Sequence, residues 1–159
     1  MPNYATYHAQ DIVQGVFDTL STAASSLGIA VNSGAASGYD VFYGDQTNIP
    51  RTPTICVEPG TLTRTLDGAA TPPPTLNEFE VLILVYLQEL GGIQTLEKSK
   101  DLLLDQVVDV MHEDWTLGGL LVFGYCHTID PGYAMRGNKL MRCGKISYRG
   151  MNKSFLINP

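Results

Sequence analysis

Cys126, His127 and Cys143 are the closest approach to a metal-ligand set in this 159-residue sequence. Adjacent strands would bring them together, but their spacing matches no finger or ribbon and a fourth ligand is missing. Strand alternation also points Cys126 and His127 to opposite faces, so these are read as core or surface residues. His8 and His112 each fall on a predicted helix without a His or Cys four residues on, which makes them ordinary helix-face histidines. Phosphate-cradling loops need G-x-G-x-x-G or G-x-x-x-x-G-K-[ST] between a strand and a helix, and neither occurs. Gly91-Gly92 precedes a helix whose N-terminus would favour an anion, yet two glycines serve any turn equally well. No G-x-S-x-G elbow and no C-G-[SA]-C-[WY] context presents a nucleophile. The most regular ionisable array is an acidic ladder, Glu97, Asp101, Asp105, Asp109 and Glu113, each four residues from the last. It lacks the D-x-D-x-D-G pattern of a calcium loop. No catalytic residue, no metal and no cofactor is expected.

The net charge of −6 conceals a segregation. Residues 11–130 hold all 16 acids against Arg51, Arg64, Lys98 and Lys100, a net −12, whereas residues 131–159 hold Arg136, Lys139, Arg142, Lys145, Arg149 and Lys153 for +6. A basic tail can signify nucleic acid, but −12 on the remainder repels phosphates at long range. The plainer reading is that the two regions neutralise each other within or between subunits. Likewise the ladder is either a solvated helix face or the complement of a basic surface elsewhere. As like charges four apart on a helix, its members repel by a few tenths of a kcal/mol per pair.

The elements that position these groups follow from periodicity. The length fits one domain, and 44% hydrophobic residues supply a core. The longest apolar run, residues 81–87, is far short of the ~20 that cross a bilayer. No secretory or transit signal stands at the start, and Cys56, Cys126 and Cys143, odd in number and unpaired in spacing, are read as reduced thiols of a cytosolic assembly. Apolar residues at steps of three and four predict an amphipathic helix over 7–27. Short strands are expected at 39–43, at 54–58 ended by a tight turn at Pro59-Gly60, and at 61–66. The loop from Asp67 to Thr75, with Pro72, Pro73 and Pro74 in a row, is expected to project in extended form. Residues 79–87 are apolar on both faces, so this strand belongs centrally and needs two covers: helices on one side, and on the other a second sheet or a neighbouring subunit. The best helix spans 95–114 with Thr95 as N-cap. A strand at 120–126, a turn at Asp130-Pro131-Gly132, a strand at 139–149 and, after a turn at Gly150 and Asn152, a last strand at 154–157 complete the chain. The fold class is α+β: a mostly antiparallel sheet with an N-terminal helix and a long central helix packed on one face.

This order of motifs resembles the tail-terminator or tail-completion proteins of tailed bacteriophages. The resemblance rests on the N-terminal helix ending near Leu27, PTICVEPG at 53–60, FEVLILVYL at 79–87, HEDWTLGG at 112–119 and the late basic strand, and it spans nearly the whole length. It implies a structural virion protein, not an enzyme, assembled in the host cytoplasm. Six copies would form a ring on the tail tube, end its polymerisation and meet the head connector. The implied partners are further copies, the tube protein and the connector or stopper, with no membrane and no sequence-specific contact to passing genomic DNA. Carried onto this sequence, the ring contact is Asp101, Asp105 and Asp109 against Lys139, Lys145 and Arg149. Asp67, Pro72, Pro73, Pro74 and Phe155 are the candidates for tube or connector contact. A head-completion or stopper protein, or a nucleic-acid-binding module using the basic strand, are the alternative readings.

Overall fold

A computed structural model of the chain describes residues 9–23, 39–49, 52–66, 68, 75–88 and 93–154. Its centre is β3, Thr75–Leu87. Phe79, Val81, Ile83, Val85 and Leu87 alternate onto one face and are at most 3% exposed, as period-two apolar residues must be when a layer covers them. The strands β1 (Asp40–Tyr43), β2 (Thr54–Leu66), β4 (Phe123–Arg136) and β5 (Lys139–Ser154) complete a five-stranded sheet in the order β1-β2-β3-β5-β4. Only β1, parallel to β2, breaks the antiparallel pattern. With two helices, α1 (Ala9–Ala23) and α2 (Ile93–His112), the described residues form an α+β fold.

The helices share one core. Ile12, Val13, Val16 and Leu20 of α1 and Leu103, Leu104, Val107 and Met111 of α2 pack with the β3 face, with Ile55 and Val57 of β2, and with Ile146 and Tyr148 of β5. Burying one such aliphatic side chain is worth about 1.5–3 kcal/mol, so the apolar stripes rather than intrinsic propensity hold the helices down. Thr95 lies inside α2 and is not its cap, because the helix begins at Ile93.

The reverse face of β3 finds part of its cover within the chain. Residues 44–49 fold over a second cluster of Ile49, Cys56, Tyr86 and Met141, with Phe42, Leu84, Ala134 and Cys143 around it. The Tyr86 hydroxyl donates to Asp45 Oδ1 at 2.8 Å, Arg136 bonds Asp45 Oδ2 at 2.7 Å, and Gly137 N–H donates to Thr47 O at 2.9 Å. Of the two covers expected there, a second sheet or a neighbouring subunit, no second sheet is found among the described residues, and this short segment supplies part of the cover.

Several expected turns are strand. Pro59-Gly60 does not end a strand: β2 runs on to Leu66 with a bulge between Pro59 and Leu62. β1 pairs only with Thr54–Val57, so at Pro59 the strand is an edge and proline forfeits no ladder bond there. Asp130-Pro131-Gly132 is likewise the middle of edge strand β4, opposite Lys145, Gly144 and Cys143. The reversal comes later, at a two-residue Gly137-Asn138 loop where Gly137 takes the required positive φ of 63°. Gly150 and Asn152 do not turn either, since β5 continues to Ser154. Gly150 is a flat spot under Leu121, whose side chain would collide with any Cβ there. Residues 120–122 are not strand, and β4 begins at Phe123. Asp114 accepts from Thr116 N–H at 2.9 Å and Gly118 N–H at 2.7 Å, and this drives Leu117 and Leu121 into the core instead.

Candidate functional site

Alternation along β5 divides its cations between the two faces of the sheet. Arg142 shares the helix side with Ile146 and Tyr148, whereas Lys139, Lys145 and Arg149 share the other side with Met141 and Cys143. Arg142 meets the first rung of the acidic ladder: its Nε donates to Glu97 Oε1 at 2.5 Å, and Glu97 Oε2 also takes Lys100 Nζ at 2.8 Å. Lys100 is only 4% exposed, so this cluster joins α2 to the sheet through two cations and one carboxylate. The Arg142 guanidinium additionally covers the Tyr133 ring at 4.4 Å. Sequence reasoning missed this pair, although placing Arg142 on the helix side of β5 was the available signal.

The remaining rungs face solvent. Asp101, Asp105 and Asp109 are exposed on α2; Asp101 contacts Lys100 at 3.3 Å, and Asp105 and Asp109 make no ion pair with a described residue. Their proposed complements are on the far side of the sheet. Lys139 and Lys145 are exposed and make no ion pair with a described residue, while Arg149 stands 3.7 Å from Glu80 Oε2. One chain therefore cannot bring the two groups together. Asp67, Pro72, Pro73, Pro74 and Phe155 lie outside the described residues.

Arg149 borders a groove of about 390 Å³ on the same side of the sheet, lined also by Glu78, Glu80, Phe123, Tyr125 and Met151. Ser147 Oγ donates to Glu80 Oε2 at 2.9 Å, which steadies the carboxylate beside Arg149. Phe123 and Tyr125, two residues apart on β4, stack at 6.2 Å, and His127 meets the Tyr125 ring edge-on at 5.8 Å. In the sequence the row is carried by the alternate ring-bearing residues of FGYCH at 123–127.

Cys126 and Cys143 occupy opposite faces of the sheet, and the described residues contain no group of three His, Cys, Asp or Glu able to hold a metal. Burial pushes the Cys126 thiol up to about 12 and raises Cys56 and Cys143 as well, which suppresses the reactive thiolate. His112 accepts the Cys126 N–H through Nε2 at 3.0 Å and stacks on Trp115 at 4.8 Å, closing the outer edge of β4.

The Arg142 guanidinium, and after it Lys100, hold the Glu97 carboxyl below its ordinary value. A carboxyl lowered on folding adds stability that is complete above its unfolded value and is lost as the pH falls through the folded one. Urea midpoints are accordingly expected to stay level down to about pH 5 and to fall below about pH 4. Glu97→Gln should lower the neutral midpoint and flatten that acid slope. An unchanged slope in the variant would show that the cluster contributes nothing.

A scan against models of known protein families finds no match, and neither does a search of curated protein sequences.

Proposed function

We propose that the chain is a ring-forming structural protein of the tail-terminator kind, closing the end of a phage tail tube and meeting the head connector, with no catalytic role. The observation that carries the reading is the placement of opposite charge on opposite sides of one sheet. Asp101, Asp105 and Asp109 lie on the outer surface of α2, and Lys139, Lys145 and Arg149 lie on the side away from the helices. Such a chain satisfies its surfaces by contacting another copy in one repeated, head-to-tail manner, and a contact of that type closes into a ring when its rotation allows. In this reading α2 serves as the long central helix of the architecture, carrying half of each subunit contact. A charge-matched seam sets register and suppresses wrong pairings.

The nucleic-acid reading is weakened by the same geometry. Arg136, Arg142 and Arg149 each face a carboxylate of their own chain, so few cations remain to release counterions from a phosphate backbone. The test is the solution mass by light scattering with negative-stain images of the same fraction, alone and with tail tube. Rings, or a cap at one tube end, are expected; a monomer that ignores the tube overturns the reading.

A further inference from the structure

The outer edge of β4 is closed in its first half and open in its second. Gly124 N–H donates to Trp115 O at 2.7 Å and Cys126 N–H to His112 Nε2 at 3.0 Å, so the edge from Phe123 to Cys126 is already occupied. Beyond the bulge between Cys126 and Thr128, β4 pairs with β5 and with no other described strand. The Arg136↔Lys139 pair flanks a two-residue loop and is therefore the narrow, doubly bonded pair of the hairpin. Alternation back from it turns the N–H and C=O of Met135, Tyr133 and Ile129 outward, together with the C=O of Pro131. Pro131 fits that pattern, since its missing N–H falls on the open side.

The residues with outward backbone groups also carry bare apolar side chains: Ile129 is 42% exposed, Tyr133 63% and Met135 57%, with Leu140 beside Met135 at 62%. Long apolar edges of this kind are normally blunted by charge or by a covering segment. On the face away from the helices, Lys139 and Lys145 of β5, one strand in from the edge, make no ion pair with a described residue, and Asp130 of β4 lies cross-strand from Lys145.

We propose that the β4 edge from Ile129 to Met135 takes up an extended segment of a partner protein as an added strand, apolar at alternate residues and acidic at those between. The outward amides and carbonyls bind its backbone, the Ile129, Tyr133, Met135 and Leu140 side chains receive its apolar residues, and Lys139 and Lys145 attract its carboxylates. This surface does not rest on the phage assignment, but it shares Lys139 and Lys145 with the proposed ring seam.

A short synthetic peptide alternating valine and glutamate is the probe. Added to isotope-labelled full-length protein, it should slow amide exchange at Ile129, Tyr133 and Met135 by about tenfold or more while leaving Gly124 and Cys126 unchanged. A lysine-for-glutamate peptide and an alternately N-methylated one should each bind about tenfold more weakly or worse. Met135→Pro removes one outward donor and no β5 bond, so it should weaken binding with an unchanged circular dichroism spectrum. Tyr133→Lys, which leaves the backbone intact, should do the same. Failure to protect these amides at millimolar peptide, or equal binding of the lysine peptide, overturns the proposal. Protection that appears without peptide and rises with protein concentration also overturns it, and assigns the edge to a second copy.

Discussion

Gly124→Ala is expected to destabilise the fold by about 3 kcal/mol, at the upper end of what one extra methyl in a packed core costs. A Cβ at this position would overlap the Tyr148 hydroxyl, stand 2.7 Å from Tyr148 Cζ and 2.9 Å from Leu121 Cδ1. Tyr148 is fully buried and its ring is rigid, so it cannot swing aside as the end of an aliphatic chain would. The backbone at Gly124 is not in the left-handed region, so the effect is one of packing. Restricting the unfolded chain offsets it by less than about 1 kcal/mol. In a chain of this length the melting temperature should drop by roughly 6–12 °C. The Tyr148 hydroxyl has no hydrogen-bond partner among the described residues, and burial drives its ionisation far above the ordinary tyrosine value. Tyr148→Phe alone should therefore be neutral or stabilising by up to about 1 kcal/mol. Gly124→Ala with Tyr148→Phe should recover much of the loss, because the worst overlap is with the atom removed. Equal losses in the single and double variants would locate the strain at Leu121 instead. The glycine also separates Phe123 from Tyr125, so its loss should disturb the aromatic wall of the groove before the remainder of the sheet.

The same contact explains what could and could not be read from the residues. The apolar alternation at Phe79–Leu87 places β3 at the sheet's centre because a strand covered on both faces leaves no other choice. The stripes of α1 and α2 are equally legible, since a helix face is set by local spacing. Proline and glycine were misleading. Their effect depends on which neighbour the strand has, and neither the edge position of β4 at Pro131 nor the end of β1 before Pro59 is a local property. Gly144 and Gly150 carry turn composition but serve close approach, with Leu104 and Leu121 lying on them. For the site, strand alternation over 139–149 sets Arg142 apart from Lys139, Lys145 and Arg149, and this is the arrangement observed. It could not show that Arg142 reaches Glu97, because that needs the distance between a helix and a strand forty-five residues later.

Charge exchange between the two sides of the sheet is expected to switch ring formation off and on again. Lys139→Glu with Lys145→Glu makes one side of the seam acidic, and Arg149→Gln removes the third charge without setting a new carboxylate beside Glu80, 3.7 Å from the guanidinium. Asp105→Lys with Asp109→Lys makes the other side basic, and Asp101→Asn avoids a cation against Lys100, now 3.3 Å from Asp101. All six residues are exposed, so each set should leave the monomer folded. The helix set relieves like-charge repulsion at three of the four ladder steps along α2 by a few tenths of a kcal/mol each, and leaves positions 105 and 109 like-charged. Alone, each variant juxtaposes like charge at every seam, and association should weaken about a hundredfold or more, with partial recovery in high salt. Mixing the two variants supplies opposite charge at every seam, provided the copies alternate. The mixture should then form rings, and only rings with an even number of subunits, six among them. Combining both sets in one chain should restore a ring of identical copies with the polarity of its seam inverted. Light scattering and negative-stain images of the variants, the mixture and the combined chain decide the matter. If either variant alone forms rings as well as the parent, these six residues do not make the contact. If neither does and the mixture also fails, the charges matter to something other than a head-to-tail seam.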